Sequence, residues 1–302
     1  MNGITGTFLD EITHDIPSQN WGAREWAADF DAMQAIGIDT VILIRAGYRD
    51  RATFDSKALK HSQNMLPAYI DLFDLFLTQA ERCGMQFFFG TYDSGKHWIN
   101  GDYQAEADLN KHFCDEVAAR YGHRKAFSGW YISHEINTYN DGMMKVYLDL
   151  SAHLRGLKKL PILISPYVKG VKQFAGEAID LTSHIREWEM VFQALRGHVD
   201  IVAFQDGQID YRELPDYLRA NGRLAAACGI ETWSNVECFD RDMPIKFPPI
   251  DFRCLRYKIE QASAAGVSKL ITFEFSHFMS PNSCYLAARN LYQRYQEWLA
   301  SL

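Results

Sequence analysis

The chain lacks the short motifs that would name a phosphate or metal chemistry outright. Its first apolar run ends Phe8-Leu9-Asp10-Glu11 with no G-x-G-x-x-G after it, so the phosphate turn of a dinucleotide-binding open sheet is missing. No Walker lysine loop and no G-x-S-x-G elbow occur. His134-Glu135 begins like the H-E-x-x-H zinc motif, but position 138 is threonine, and the second ligand is lost. Six cysteines (83, 114, 228, 238, 254 and 284) include no C-x-x-C pair, and the expectation is reduced, mostly buried thiols. No window approaches about 18 uninterrupted apolar residues, which excludes a helical membrane span. The start, M-N-G-I-T-G-T-F-L-D-E, has neither a charged leader nor a long apolar run, so it is not read as a signal peptide. A cytoplasmic protein is expected, with a trimmed exported enzyme as the other option. Positive charge is also scarce: 31 Lys and Arg against 38 Asp and Glu leave a net −7. That balance argues against a nucleic-acid backbone as partner and permits a neutral one such as a sugar.

What is present is a repeating alternation. Glycines at 37, 84, 122, 156, 197, 229 and 266 each follow a helical pattern and precede an apolar run, as expected of a residue that ends helices in the left-handed conformation. Trp26, Phe30 and Met33 recur at helical spacing. So do Ile70, Phe73, Leu77 and Ala80; Phe113, Val117 and Tyr121; and Leu291, Tyr295 and Trp298. Between them lie eight apolar runs, 4–11, 39–47, 85–93, 127–135, 161–168, 199–207, 229–237 and 268–276. Several are almost continuously apolar, as in strands covered on both faces of a parallel sheet. Eight strand–helix units without a linker or a composition shift predict an α/β fold, a (β/α)8 TIM barrel spanning 1–302 as a single domain.

Such a barrel carries its site at the C-terminal strand ends. Polar residues gather there: Asp10 and Glu11; Arg45 and Tyr48; Tyr92 and Asp93; His134, Glu135 and Asn137; Gln205 and Asp206; Trp233, Asn235 and Glu237; Glu274, Ser276 and His277. Alternation puts Tyr131, Ser133 and Glu135 on one face of strand four. It puts Glu231, Trp233, Asn235 and Glu237 on one face of strand seven, with Glu231 deep and Glu237 at the rim. Glu274 is a candidate buried partner for an arginine such as Arg45. His134 alternates away from Glu135 and suits packing or support better than proton transfer. Trp98, in the segment 92–98 after strand three, is placed to stack on a ligand ring or to seal the rim. The run 240–249 reads as a stiff, proline-braced loop.

The segments G-T-F-L-D-E, F-G-T-Y-D-S-G-K, G-W-Y-I-S-H-E-I, S-P-Y, V-A-F-Q-D-G, W-S-N-V-E-C-F and T-F-E-F-S-H-F-M-S-P-N resemble a bacterial family classed as a domain of unknown function. That family is related to glycoside hydrolases with TIM-barrel cores. The resemblance covers nearly the whole chain. It implies the barrel and, by analogy with retaining barrel glycosidases, an acid/base Glu135 after strand four and a nucleophilic Glu237 after strand seven. Those enzymes usually carry Asn before the first glutamate, where this chain has His134.

Two carboxylates suit glycosidic cleavage, since one protonates the leaving oxygen while the other attacks the anomeric carbon or activates water. The expectation is a glycoside hydrolase, retaining, acting on an oligosaccharide or glycoconjugate without cofactor or metal. Tyr92, Trp98 and Trp233 are expected against sugar rings. Asp93, Gln205, Asp206 and Asn235 are expected at hydroxyls, and His134, Glu274 and His277 are counted with the substrate-contacting set. Two other classes stay open: a metal-dependent sugar isomerase, because carboxylate-rich sites favour Mg²⁺ or Mn²⁺, and a carbohydrate-binding barrel without catalysis.

Overall fold

The computed structural model describes residues 3–14, 16–241 and 247–302. Eight strands close a barrel: β1 (Gly6–Leu9), β2 (Thr40–Leu43), β3 (Gln86–Gly90), β4 (Phe127–Tyr131), β5 (Ile162–Ile164), β6 (Ile201–Gln205), β7 (Glu231–Asn235) and β8 (Lys269–Thr272). Each pairs in parallel with its sequence neighbours, and β1 closes on β8 through Gly6↔Ile271 and Thr7↔Thr272. Helices fill every connection, as parallel crossovers demand. The single-domain (β/α)8 expectation therefore holds.

Alternation splits the apolar residues into two layers. Inward-facing Phe8, Ile42, Phe88, Tyr131, Leu163, Ala203, Trp233 and Ile271 form one cluster that fills the barrel. Their neighbours along each strand, such as Leu9, Val41, Phe87 and Trp130, join a larger cluster under the helices. Trp26, Phe30 and Met33 are fully buried on their helix, as the spacing predicts. Gly129 is required by the interior: a Cβ there would lie 2.1 Å from the Phe88 ring.

Helix stops follow the glycines in part. Gly37, Gly84, Gly197, Gly229 and Gly266 have positive φ, as expected of left-handed caps. Gly122 does not (φ −59), and Gly156 lies inside the helix Asp141–Leu157, so these two are not left-handed stops. The strands are also shorter than the apolar runs, because their polar tails leave the ladder to form the loops of the mouth. Four of the six cysteines are buried and all six are free thiols. No helix among the described residues is long and apolar enough to cross a membrane. Of the proline-braced run 240–249, positions 242–246 lie outside the described residues.

Candidate active site

Beyond β2 and β3 the chain adds a small sheet. Gly47–Tyr48 pairs antiparallel with Arg51–Ala52 and parallel with Tyr92–Asp93, placing Tyr48 opposite Asp93. The two βα loops are thereby tied by backbone hydrogen bonds, which sets Asp93 beside Arg45.

A cavity of ≈ 280 Å³ opens at this end of the barrel. All eight strands or their trailing residues reach it: Phe8 and Asp10, Ile44 and Arg45, Asp93, Tyr131 and Glu135, Ser165 and Tyr167, Gln205, Asn235 and Glu237, and Phe273. Trp98, Ile99, Tyr48, Phe239, Arg241 and Phe247 complete its rim and walls.

Glu237 is the more enclosed of the two predicted glutamates, its side chain only 1% exposed. Arg241, four residues on, donates to it through Nε (3.0 Å) and Nη2 (2.7 Å). Its backbone is clamped as well. The amide donates to Asp206 Oδ1 at 3.0 Å, and the carbonyl accepts from Lys258 Nζ at 2.6 Å. Lys258 also pairs with Asp206 at 2.6 Å. Burial pushes the Asp206 carboxyl up to about 6, with Lys258 opposing and Glu237 adding to the rise. Gly207 supplies the room: a Cβ there would sit 1.7 Å from Glu237 Oε2.

Glu135 is more open, its side chain 23% exposed. Arg45 Nη2 donates to it at 3.1 Å, while Arg45 Nε faces Asp93 Oδ2 at 3.4 Å. The guanidinium is almost dehydrated; burial alone would lower its pKa, but Glu135 and Asp93 outweigh that and raise it. Asp93 in turn accepts from the Gly95 amide and from Trp98 Nε1, both at 2.8 Å. Burial works against its charge, yet His134, Arg45, Trp98 and Gly95 hold its carboxyl below the usual range.

Two further polar groups line the cavity without a hydrogen-bond partner among the described residues: the Tyr131 hydroxyl and Asn235 Oδ1. Asn235 Nδ2 is used, donating to Ser165 Oγ at 3.3 Å. Gln205 spans Ser165 O and Gln208. Buried polar atoms are nearly always paired, so these two stand out among the polar groups of the cavity wall.

Of the residues expected at the site, Asp93, Trp98, Glu135, Gln205, Asn235 and Glu237 meet around this cavity. The rest lie behind its walls, and each has a reason. Tyr92 is fully buried under the helices, its hydroxyl donating to Arg49 O at 2.7 Å. Trp233 faces the barrel interior against Phe88, and its indole N–H donates to Glu231 at 3.0 Å. Glu231 is not deep but exposed, away from the mouth. Asp206 binds Lys258 and the Glu237 backbone. His134 pairs through Nε2 with buried Glu106 at 2.8 Å. Glu274 meets neither Arg45 nor the cavity; it caps the short helix Phe275–Phe278 through the Ser276 and His277 amides, both at 2.8 Å, and contacts the His277 ring. His277 donates its other ring N–H to Pro17 O at 2.7 Å. In the sequence Arg45 stands as a polar strand end and a candidate partner of Glu274, whereas Arg241 is not singled out at all. Its spacing from Glu237 is a helical i,i+4 signal, but it falls in a loop.

Asp93, Glu106 and His134 also offer ligand-type atoms within 4.8 Å of one another. All three are buried, and hydrogen bonds from Ser94, Trp98, Gly95 and Arg45's charge already serve the carboxylates. The donors fit a hydrogen-bonded brace for the loop after β3 better than a cation cage.

The chain superposes on a solved structure of a candidate alpha-L-fucosidase from Bacteroides thetaiotaomicron VPI-5482, with 47% identity, a TM-score of 0.94, and coverage of 98% of this chain and 94% of that one. An endo-1,4-beta-D-mannanase from Thermotoga petrophila RKU-1 shares 11% identity at TM-score 0.60 over 90% and 87% of the two chains. A glycoside hydrolase family 5 protein from Bacteroides vulgatus ATCC 8482 shares 13% at 0.58 over 85% and 55%. These last two show the fold alone. No curated protein matches the chain. The family described as "Domain of unknown function (DUF4434)" matches residues 4–285, and the chain belongs to it.

Proposed function

We propose that this barrel is a retaining glycoside hydrolase, with Glu237 as nucleophile and Glu135 as acid/base. The observation that carries this reading is that glutamates from β4 and β7 line one cavity, each gripped by its own arginine. Exposure supports the division of roles. Glu237, enclosed and held by a two-point fork, is fixed for attack on an anomeric carbon. Glu135, more exposed, can meet the leaving oxygen and then water.

Glu237 would displace the aglycone and form a glycosyl ester while Glu135 gives its proton to the departing oxygen. Water would then surrender a proton to Glu135, attack the same carbon and release Glu237. The substrate is read as neutral. Both guanidiniums at the cavity already face carboxylates, so a sugar acid would find no uncommitted guanidinium among the described residues. Phe8, Phe239 and Phe273 give the wall an apolar face, which suits a sugar carrying a methyl in place of a hydroxymethyl. Given the candidate alpha-L-fucosidase relative, an aryl α-L-fucoside is the first substrate to assay.

The test is Glu135→Gln and Glu237→Gln on a glycoside the native protein hydrolyses. Loss of about 10²-fold or more in kcat for each is expected. Full activity in both would falsify the assignment. Proton NMR of the first-formed product should show retained anomeric configuration; inversion would remove the covalent step.

A further inference from the structure

We propose that Trp98 is a positioning residue that couples occupancy of the cavity mouth to the orientation of Glu135, a statement that rests on the acid/base reading of that glutamate. The indole lies on the loop after β3, half-buried, and lines the cavity with exposed Ile99. Its edge packs against His134 at 5.6 Å between centroids, nearly perpendicular. Its N–H is committed inward, donating to Asp93 Oδ1 at 2.8 Å. Asp93 turns its other oxygen to Arg45 Nε at 3.4 Å, and Arg45 Nη2 holds Glu135 Oε1 at 3.1 Å.

A path of side chains thus runs from a ring at the rim to the carboxylate at the centre, with side branches at Asp93 to the Gly95 amide and at Arg45 to Thr13. The two end links are hydrogen bonds, Trp98 to Asp93 and Arg45 to Glu135, and the middle one is an ion-pair contact. The guanidinium is planar, so its Nε and Nη2 cannot turn independently. The ring of Tyr48 lies 5.4 Å from its Cζ, and Tyr48 itself is held opposite Asp93 by the small sheet. A saccharide ring that displaces or tilts the indole must therefore move Asp93 and, through Arg45, Glu135. A neutral ring that stacks without tilting it leaves the glutamate aligned. Trp98 in this way discriminates ligands by how they seat, and acts on turnover more than on binding.

The test separates the ring face from the N–H. Trp98→Phe keeps an aromatic face and deletes the donor; Trp98→Ala deletes both. On a hydrolysed aryl glycoside, Trp98→Phe should lower kcat about 10-fold with KM within about twofold of the native value, since small misplacements of a catalytic group are costly. Trp98→Ala should also raise KM. Adding Asp93→Asn to Trp98→Phe should cost little more than Asp93→Asn alone, because both break one path. Native kcat in Trp98→Phe, or losses that multiply in the double variant, would overturn the coupling. A crystal structure of Trp98→Phe decides it without any turnover: an unshifted Arg45 bridge to Asp93 and Glu135 refutes the path, and a displaced one supports it. If Glu135→Gln and Glu237→Gln keep full activity, the hydrolase assignment falls while this structural result still stands or fails by itself.

Discussion

Arg241 reaches back four residues to Glu237 and holds both carboxylate oxygens, at 2.7 and 3.0 Å, across the wall of the cavity. The glutamate is almost wholly enclosed, and this guanidinium faces it directly. Removing one member of a buried pair typically costs about 3–5 kcal/mol, most of it from the charge left behind. Arg241→Ala should therefore lower the midpoint of thermal unfolding by several degrees. Arg241→Ala combined with Glu237→Gln should recover much of that loss, because no charge is then stranded. Calorimetry of the two variants checks it; equal instability in both would contradict the argument.

Gly207 offers a test that touches Glu237 without changing its charge. A methyl group there would occupy space 1.7 Å from Oε2. Gly207→Ala should push the carboxylate off its aligned position and reduce kcat by about 10²-fold. The fold should survive, since the clashing atom ends a side chain. Kinetics on the active glycoside, with circular dichroism as control, reads both effects.

The hydroxyl of Tyr131 is buried and has no partner among the described residues, at a cavity wall. A buried unpaired polar group costs about 1–3 kcal/mol. Tyr131→Phe should leave the free protein as stable as before, or more stable. If the hydroxyl serves a bound sugar, the same change should lower kcat/KM by about 10-fold or more. A fall in the unfolding midpoint would instead mark a structural role for the phenol.

Buried acids and bases set the expected pH dependence of stability. Burial opposes charge on His277, but the Glu274 carboxylate, its hydrogen bond and the Pro17 carbonyl prevail and raise the imidazole from 6.5 to about 9. Its contribution is complete below pH 6.5 and disappears as pH rises through 9. The full span is about 3 kcal/mol by linkage. Burial also raises Asp29 to about 7, against the hydroxyls of Ser280 and Ser276, and Asp206 to about 6. Folded forms of these acids hold protons more tightly than unfolded ones, so ionising them costs stability from near pH 4 upward. Asp93 and Glu106, with lowered pKa values, act in the other direction and weaken the fold only in acid. Stability should therefore decline from pH 6.5 to 9, and His277→Gln should flatten that decline. Urea titrations at several pH values measure it; an unchanged slope in the variant would show that the His277–Glu274 pair does not control it.

Reading along the chain reveals periodicity far better than it reveals direction. The eight strands, their parallel order and the helix faces follow from local patterns of two and of 3.6 residues. Six of the twelve anticipated site residues reach one cavity. Gln205 and Asn235 do so as the last ladder residues of β6 and β7, where alternation fixes direction, while Asp93, Trp98, Glu135 and Glu237 lie past the barrel strands. Beyond the last ladder residue the backbone turns, and alternation no longer tells which way a side chain points. His277 and Glu274 were misplaced for this reason: their strand ends at Thr272, and Glu274 becomes a helix cap. Tyr92 was misplaced because its two-residue strand belongs to the rim sheet, which turns its ring under the helices. Arg241 was invisible because a loop arginine carries no local mark of the carboxylate it will meet.

That rim sheet has a further consequence. Tyr48 and Arg51 sit on segments joined by main-chain hydrogen bonds, so their side chains can be exchanged without loosening the frame. Relatives built on the same barrel can thus acquire new preferences for a ligand at the cavity mouth by point substitution here. Insertions into either loop are penalised, because lengthening one would pull the other out of register.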